Sequence, residues 1–354
     1  MRRSFTVIAV LLCAAILVFF VWPSPIDAVA FKPEPIPELS GHYQSNNDLH
    51  ALDKIYEGLC HECEDIAVRS DGAIYAGEID GDILLLKGGL KSVVANTGGR
   101  PLGLDIDTLR DLLIIADAYK GLLALDSSGD ITLLTTSSEG IDFKFVDDIE
   151  IGPDGLYYFS DASSKYNFNE TLLDIFEHGG HGRLCSYDPV TEQTKTLLDG
   201  LQFANGIATS PDSSFVLVNE TGLFCVRKYW LKGPRKGTDE VILGNMPGFP
   251  DGISRGSNGI YWLTLVNPRT RQLESLMSKP FLRELLAKVP AAMEGAVPPA
   301  YGFVLGIDAD GTIKFNYQDN EPKLLQITSV QEHDEKLFFG SLIDDGIGVM
   351  NIIN

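Results

Sequence analysis

Basic residues are scarce in this chain. Its 354 residues include 28 Lys and Arg against 49 Asp and Glu, which gives a formal net charge of −21. A nucleic-acid-binding surface needs a surplus of Lys and Arg to neutralise phosphates, and that surplus is missing. The composition therefore excludes nucleic acid as a partner. The excess of carboxylates instead favours a self-repelling surface and a cation-binding site.

Phosphate-binding loops and long helical patterns are also missing. No glycine-rich phosphate-binding loop follows a strand pattern, which argues against nucleotide or dinucleotide chemistry. Apart from a stretch near residues 273–286, no long segment shows the 3.6-residue period of an amphipathic helix. Apolar residues still make up 44% of the chain, which is enough for a packed core.

The N-terminus carries a long apolar run. Arg2 and Arg3 precede residues 5–22, in which Thr6 is the only polar side chain. At 1.5 Å per residue this run reaches about 27 Å, close to the hydrocarbon thickness of a bilayer. We therefore predict a membrane anchor within residues 1–22. The paired arginines predict single-pass type II topology, with the rest of the chain on the extracytoplasmic side.

A cleaved signal peptide is the alternative to an anchor. Ala28, Val29 and Ala30 match the small-residue pattern of a cleavage site, and cleavage there would give a secreted protein. Five prolines fall between residues 23 and 38. They predict that residues 23–50 form a semi-extended spacer.

Cysteine is limited to five residues, of which Cys60 and Cys63 form a C-x-x-C pair. Under either prediction for the N-terminus this pair is exported, and disulfides persist outside the cytoplasm. We therefore favour a local disulfide over a zinc half-site or free thiols.

The rest of the chain repeats a short strand six times. The aligned strands are 73–78, 112–117, 156–161, 215–220, 260–265 and 337–342. A period near forty residues with three or four strands per unit is typical of a β-propeller. We predict an all-β, six-bladed propeller over residues 51–354, whose last blade takes its outer strand from residues 52–59. Inserts at 163–181 and 267–300 are expected over one face, the second with a short helix.

The repeat also selects a ring of polar residues. A short strand precedes each aligned strand, and its first residue should face the central channel. These residues are Glu64, Leu102, Asp147, Asn205, Asp251 and Thr328. Three carboxylates around one channel repel each other unless a cation neutralises them. All-oxygen ligands favour a hard cation, Ca²⁺ first and Mg²⁺ or Mn²⁺ next. The alternative is a set of solvated residues at the mouth of the channel.

A bound cation of this kind polarises the carbonyl of an ester or lactone. Such hydrolysis also needs a group that moves a proton. Asp251 in the ring and Glu332 on the last inner strand are candidates for that role. His181 and His178 lie in the first insert, where they serve either as a proton shuttle or only as polar residues of a loop.

Several stretches resemble the strictosidine synthase-like family over about residues 55–350. They include 64–67 (EDIA), 101–104 (PLGL), 203–207 (FANGI), 247–252 (PGFPDG) and 331–334 (QEHD). The resemblance implies a six-bladed propeller related to paraoxonases and gluconolactonases. It also implies a calcium-type ion in the channel and an arylesterase-like activity. The family's ligand positions match Glu64, Asp147, Asn205 and Asp251.

Some residues depart from the pattern that the resemblance implies. Position 147 is Asp where the related hydrolases usually have Asn, and Gly252 replaces an Asn that commonly follows Asp251. Glu332 matches the catalytic glutamate of true strictosidine synthase, which condenses an amine with an aldehyde. However, the resemblance implies that the channel of that enzyme holds no metal. That enzyme also lacks the Asp that corresponds to Asp251.

Three functions follow as hypotheses. The first is a membrane-anchored, calcium-dependent hydrolase of aryl esters or lactones. The second is a Pictet–Spengler-type condensing enzyme that uses Glu332 on amine and aldehyde substrates. The third is a non-enzymatic propeller that binds ligands or serves as a scaffold, because a fold alone does not fix function. The sequence identifies no protein partner.

Overall fold

The computed structural model of this protein describes residues 19–289 and 300–353. Its body consists of four-stranded antiparallel sheets arranged as the blades of a propeller. The first blade contains β2 (Ile66–Val68), β3 (Ile74–Gly77), β4 (Asp82–Lys87) and β5 (Leu90–Asn96). The second contains β6 (Pro101–Asp107), β7 (Leu112–Asp117), β8 (Gly121–Asp126) and β9 (Ile131–Thr135). A small hairpin, β10 (Ser137–Ser138) and β11 (Ile141–Asp142), follows.

The remaining blades repeat the same meander. The third contains β12 (Val146–Ile151), β13 (Tyr157–Asp161), β14 (Gly182–Asp188) and β15 (Gln193–Leu201). The fourth contains β16 (Ala204–Thr209), β17 (Phe215–Glu220), β18 (Cys225–Trp230) and β19 (Asp239–Leu243). The fifth contains β20 (Gly248–Arg255), β21 (Ile260–Pro268), β22 (Gly302–Asp308) and β23 (Ile313–Asp319). The sixth contains β24 (Ile327–His333), β25 (Lys336–Ser341), β26 (Ile347–Asn351) and β1 (Asp53–Ile55).

The sixth blade closes the ring with a strand from the other end of the chain. β1 pairs antiparallel with β26, with Asp53 opposite Val349 and Ile55 opposite Ile347. The innermost strands β2, β6, β12, β16, β20 and β24 contact one another in succession and return to β2. The prediction of an all-β, six-bladed propeller is therefore confirmed, and the closing strand lies where the sequence predicted it.

Apolar side chains between neighbouring blades form the core. Buried residues of the second and third blades, such as Ile114, Val146 and Phe159, pack in one cluster. Trp262 of the fifth blade packs with Val330 and Phe339 of the sixth. Because both faces of a blade are covered, whole strands such as β17 are buried rather than alternating.

The two inserts form helices over one face of the propeller. The first contains a 3-10 turn at Phe168–Glu170 and helix α1 (Thr171–Glu177). The second contains α2 (Arg271–Met277) and α3 (Pro280–Ala287) rather than the single short helix that was predicted. The break falls before Pro280, because proline disfavours a helical conformation in the residue that precedes it. Pro280 then occupies the first turn of α3, where its missing N–H costs nothing.

The proline-rich segment packs against these helices. Asp27 N donates to Glu177 Oε2 at 2.8 Å, and Phe31 N donates to the carbonyl oxygen of Met277 at 3.1 Å. Ile26 and Phe31 join the apolar cluster beneath the helices. We call residues 24–35 the strap, because they lie across the helices that cover this face. The rest of the predicted spacer includes 3-10 turns at Gly41–Tyr43 and Asp48–Ala51.

The predicted localisation as a single-pass type II membrane protein is contradicted by the part of the chain that the structure describes. None of the helices within residues 19–289 and 300–353 is both long and apolar enough to span a bilayer. α1, α2 and α3 have seven or eight residues each, whereas a membrane-spanning helix needs about 20. Residues 1–18 of the predicted anchor segment lie outside the described residues.

Candidate functional site

The predicted ring residues lie at irregular points of the innermost strands. In five blades the register between the innermost strand and its neighbour shifts at the ring residue. The shifts fall between positions 101 and 104, 146 and 149, 204 and 207, 250 and 253, and 327 and 330. Glu64 lies two residues before β2. A β-bulge of this kind bends a strand and re-aims its side chains. The bulges therefore aim the ring residues at the channel.

Glycines next to the ring let neighbouring blades approach closely. A Cβ atom at Gly103 would lie 2.7 Å from Asp148 Cα. A Cβ atom at Gly206 would lie 2.4 Å from the carbonyl oxygen of Asp251, and one at Gly252 would lie 2.4 Å from that of Thr328. Any larger residue at these three positions would push the inner strands apart. The glycines thus keep the ring narrow.

The ring separates two cavities along the propeller axis. On one side lies a polar channel of about 120 Å³, and on the other lies a cavity of about 340 Å³ with mainly apolar walls. Four ring residues line both spaces, namely Glu64, Asp147, Asn205 and Thr328. Asp251 and Leu102 line the larger cavity. The ring is therefore the polar floor of an apolar cavity.

Helix α1 and the start of the second insert cover this apolar cavity. Its walls include five phenylalanines from four parts of the chain, namely Phe145, Phe168, Phe176, Phe203 and Phe249. Leu172 and Ile175 of α1 and Leu273 of α2 complete the cover. Among the described residues, no Lys, Arg or His lines this cavity. A bound molecule would meet apolar walls and carboxylates, with no fixed positive charge.

The ring carboxyl groups are buried and repel one another. Glu64, Asp147 and Asp251 are each at most 8% exposed. Burial, followed by the charges of Asp251 and Asp147, raises the pKa of Glu64 well above its usual value. Burial raises the pKa of Asp251 to about 7, although a hydrogen bond from Asn205 works in the opposite direction. Without a compensating cation, these groups therefore tend to hold protons near neutral pH.

The donor set of the ring fits a hard divalent cation. All four predicted ligands offer oxygen, the type of donor that Ca²⁺ and Mg²⁺ prefer. Asp147 Oδ2 is buried and accepts no hydrogen bond, so its lone pairs are available. The oxygen atoms of the three ring carboxylates do not all lie within 4.8 Å of one another, however. Among the described residues, the one group of three His, Cys, Asp or Glu with ligand atoms within 4.8 Å of one another is Glu78, Asp80 and Asp82.

That second acidic group lies on the surface of the first blade. Its buried member, Glu78, already pairs with Lys91, whose Nζ lies 2.7 Å from Glu78 Oε2. Glu78 Oε1 also accepts from His61 N at 2.9 Å. These contacts account for Glu78 without a metal.

A further set of carboxylates lines the polar channel below the ring, and sequence reasoning largely missed it. Asp65 accepts from Leu104 N of the next blade at 2.9 Å, and Asp148 accepts from Ile207 N at 2.7 Å. Burial raises the pKa of Asp65 to about 7. Each side chain joins the inner strands of neighbouring blades. The signal in the sequence is an aspartate directly after the ring position in the first and third units.

Known proteins resemble this chain over most of its length. The family described as Strictosidine synthase matches residues 147–234, and Strictosidine synthase-like, N-terminal matches residues 41–86. The rat adipocyte plasma membrane-associated protein is 33% identical over 364 residues, which cover 96% of both chains. Protein STRICTOSIDINE SYNTHASE-LIKE 4 of Arabidopsis thaliana is 35% identical over 337 residues, or 93% of this chain and 88% of the relative. This chain belongs to the strictosidine synthase-like family.

Solved structures share the propeller fold at low sequence identity. A gluconolactonase from Xanthomonas campestris superposes with a TM-score of 0.63 at 15% identity, covering 94% of this chain and 97% of its own. The calcium-binding protein regucalcin from Agrobacterium tumefaciens superposes with a TM-score of 0.56 at 16% identity, covering 85% and 91%. At this identity the likeness shows the fold of this strictosidine synthase-like protein and nothing finer.

Glu332 is the candidate of the condensing-enzyme hypothesis, and its side chain lies away from the ring. Its Oε2 accepts hydrogen bonds from Trp262 Nε1 at 2.6 Å and from Ser257 N at 3.1 Å. It lines neither the apolar cavity nor the polar channel. The side chain therefore holds the fifth and sixth blades together through Trp262.

His181 is also not brought to the ring. Its Nε2 lies 2.6 Å from Glu177 Oε1 at the end of α1. Burial of Glu177 opposes ionisation, but hydrogen bonds from Lys165, Tyr166 and Asp27 N outweigh it and lower the pKa of Glu177 to about 2. His181 thus belongs to the junction of α1 and the strap. Its neighbour His178 is buried and stacks on Phe31 of the strap.

A G-x-S-x-G pattern occurs at residues 252–256, within and just after β20. A serine hydrolase places this pattern on a sharp turn between a strand and a helix, with an exposed serine. Here Ser254 is buried within a strand, and its Oγ donates to the carbonyl oxygen of Val330. The serine is therefore structural.

The predicted disulfide between Cys60 and Cys63 is confirmed. It lies directly before Glu64, and the closing blade holds it from both ends. Ser341 N donates to the carbonyl oxygen of Cys63 at 2.8 Å, and Gly346 N donates to that of Cys60 at 2.7 Å. The disulfide loop thus fixes the approach of the chain to the first ring residue.

Proposed function

We propose that this protein is a calcium-dependent hydrolase of apolar esters or lactones, aryl esters included. One observation carries the proposal, namely a ring of three carboxylates and one amide at the floor of an apolar cavity. Similarity of fold adds weak support, since a gluconolactonase and the calcium-binding regucalcin are built on the same propeller.

Glu64, Asp147, Asn205 and Asp251 would hold the cation. When bound, Ca²⁺ would polarise the substrate carbonyl and stabilise negative charge on its oxygen. Asp251 is the ring residue suited to move a proton, because its side chain lines the apolar cavity, where a substrate would lie, and not the polar channel. Its carboxylate would accept a proton from the attacking water, and the covering helices would limit access of bulk water. Glu332 has no part in this scheme, because its carboxylate is held by Trp262.

The walls of the cavity indicate the class of substrate. Five phenylalanines and several aliphatic side chains suit an aryl or alkyl group. A polyhydroxylated sugar lactone would leave most of its hydroxyl groups unpaired against these walls, at a cost in binding free energy. We therefore expect an aryl ester or an alkyl-substituted lactone to be hydrolysed better than gluconolactone.

The test is hydrolysis of phenyl acetate, a γ-alkyl lactone and gluconolactone by the purified protein. Activity on the first two should disappear with EDTA, return with Ca²⁺, and be lost in Asp251→Ala. Asp80→Ala is the matched control, since it removes a carboxylate from the surface acidic group and should leave activity unchanged. Activity that survives both EDTA and Asp251→Ala would refute the proposal. Calcium binding without turnover of any ester or lactone would leave a ligand-binding propeller.

A further inference from the structure

Residues 219–221 (Asn-Glu-Thr) match the sequence pattern of an N-glycosylation acceptor, but the structure gives the motif another role. Asn219 is completely buried at the end of β17, so no glycan can be attached to the folded chain. Thr221 is 7% exposed and lines the apolar cavity. Both side chains face the inner strand of the next blade, β20, which carries the ring residue Asp251.

The backbone around Asp251 is outside the regular ladder. In the pairing of β20 with β21, Pro250 is opposite Leu265 and Ile253 is opposite Leu263, so Asp251 and Gly252 have no strand partner. Buried carbonyl groups that leave a ladder need other donors. The conformation of this bulge therefore depends on side chains that reach it from elsewhere.

Asn219 and Thr221 supply those donors from the fourth blade. Asn219 Nδ2 donates to the carbonyl oxygen of Asp251 at 2.5 Å, and Thr221 Oγ1 donates to that of Pro250 at 2.7 Å. Two consecutive carbonyl oxygens of the bulge are thus held by two side chains of one short motif. Gly206 faces the same Asp251 carbonyl oxygen and leaves it room to approach.

The fifth blade holds the following peptide from the other side. Thr264 Oγ1 lies 3.3 Å from the carbonyl oxygen of Gly252 and 2.7 Å from that of Thr328. The shorter contact of the Thr264 hydroxyl is with Thr328, so the carbonyl groups held on either side of the Asp251 Cα atom are those of Pro250 and Asp251. The Cα–Cβ bond of Asp251 follows the orientation of that backbone. Asn205 contacts the carboxyl group itself, whereas these contacts fix the backbone that carries it.

From this geometry we infer that Asn219 and Thr221 are positioning residues that aim the Asp251 carboxylate at the centre of the ring. The inference rests on the proposed function, in which Asp251 is a cation ligand and moves the proton. Neither residue is itself assigned to the ligand set. Groups that orient a metal ligand usually change metal affinity about 10- to 100-fold when they are removed.

The test compares substitutions of matched size. Thr221→Val removes the hydroxyl donor and keeps the shape, whereas Thr221→Ser keeps the donor. Asn219→Asp keeps the shape and replaces the amide donor by an acceptor. Calcium affinity, measured by isothermal titration calorimetry, should fall about 10-fold or more in Thr221→Val and Asn219→Asp. The affinity of Thr221→Ser should equal that of the wild type. If Asn219→Asp does not fold, the comparison of Thr221→Val with Thr221→Ser tests the inference.

A second measurement does not depend on calcium. In crystal structures of the metal-free variants, the Asp251 carboxylate should move by more than about 0.5 Å in Thr221→Val and stay in place in Thr221→Ser. An unchanged carboxylate together with wild-type affinity in Thr221→Val would overturn the inference. If the wild type itself binds no calcium, the proposed function fails. The position of the Asp251 carboxylate in the variants then shows by itself whether Asn219 and Thr221 orient it.

Discussion

The hydroxyl of Thr328 donates a hydrogen bond to the main-chain oxygen of Glu64 at 2.8 Å. Thr328 is the ring residue of the sixth blade and Glu64 that of the first, so this bond joins the two ends of the ring. It acts beside the strand pairing of β1 with β26, which closes the outer side of the same blade. The propeller is thus closed at its centre and at its edge by different residues.

Removal of this central bond should lower stability. Thr328→Val leaves the buried Glu64 oxygen without its hydroxyl donor, which should cost about 1–3 kcal/mol in the free energy of unfolding. The measurement is urea unfolding followed by tryptophan fluorescence. Thr132→Val, at an exposed position of β9, is the control and should change stability little. Equal stability of the two variants would show that the bond does not contribute to closure.

The buried carboxyl groups predict an unusual dependence of stability on pH. The pKa of Asp251 is about 7 in the folded protein, against about 4 for an ordinary aspartate. Between these two pKa values the folded state holds the Asp251 proton and the unfolded state does not. The stability gained from this proton is therefore full below about pH 4 and is lost as the pH rises towards 7. The melting temperature of the EDTA-treated protein should therefore fall between pH 5 and pH 7.

Two comparisons check the origin of this pH effect. Asp251→Asn removes the ionisable group and should raise the melting temperature of the metal-free protein at pH 7 by a few degrees, while calcium binding is weakened. Added Ca²⁺ should raise the melting temperature of the wild type at pH 7 more than at pH 5. A melting temperature that rises from pH 5 to pH 7 without metal would contradict the assignment.

The strap should stabilise the cover of the apolar cavity. Arg283 of α3 is buried and donates both to the carbonyl oxygen of Phe176 at 2.5 Å and to that of Val29. A chain that begins at residue 36 loses the strap and its contacts with the three helices. Amide hydrogen exchange in α1 should then be faster, and KM for an aryl ester should rise. A chain that begins at residue 23 is the control, and unchanged exchange in α1 would show that the strap is not needed.

Glu332→Gln should separate structural from catalytic roles. If Glu332 only accepts hydrogen bonds from Trp262 and Ser257, the variant keeps ester or lactone hydrolysis and loses some stability. The measurements are the turnover rate on an aryl ester and the midpoint of urea unfolding. If turnover instead fell by about two orders of magnitude while stability stayed unchanged, Glu332 would have a catalytic role in the hydrolysis, contrary to the structural role argued for it.

Much of the fold could be predicted because the same strand pattern recurs six times. The repeat fixed the blades, and its phase selected Glu64, Asp147, Asn205 and Asp251, which the structure brings to one ring. Periodicity carries less information about single side chains near the end of a strand. Glu332 follows the ring position of its blade by four residues, yet it turns to Trp262 of the neighbouring blade. That contact joins residues 70 positions apart, and no local pattern encodes it.

Composition was a weaker guide in the inserts and at the N-terminus. The prolines of residues 23–38 indicate an extended chain, but they do not show that the strap packs on α1, α2 and α3. The role of Asn219 was equally hidden, because its partner is a backbone oxygen 32 residues away in a bulge. Contacts of this kind depend on how the blades meet, which the sequence of one chain does not display.

The most direct test of the central claim is a calcium titration of the EDTA-treated protein by isothermal titration calorimetry, with Asp251→Ala and Asp80→Ala measured beside it. If the ring holds the cation, calcium should bind saturably to the wild type and equally well to Asp80→Ala, and the affinity of Asp251→Ala should be lower by about 100-fold or more. Equal affinity of Asp251→Ala and the wild type would show that the cation lies outside the ring.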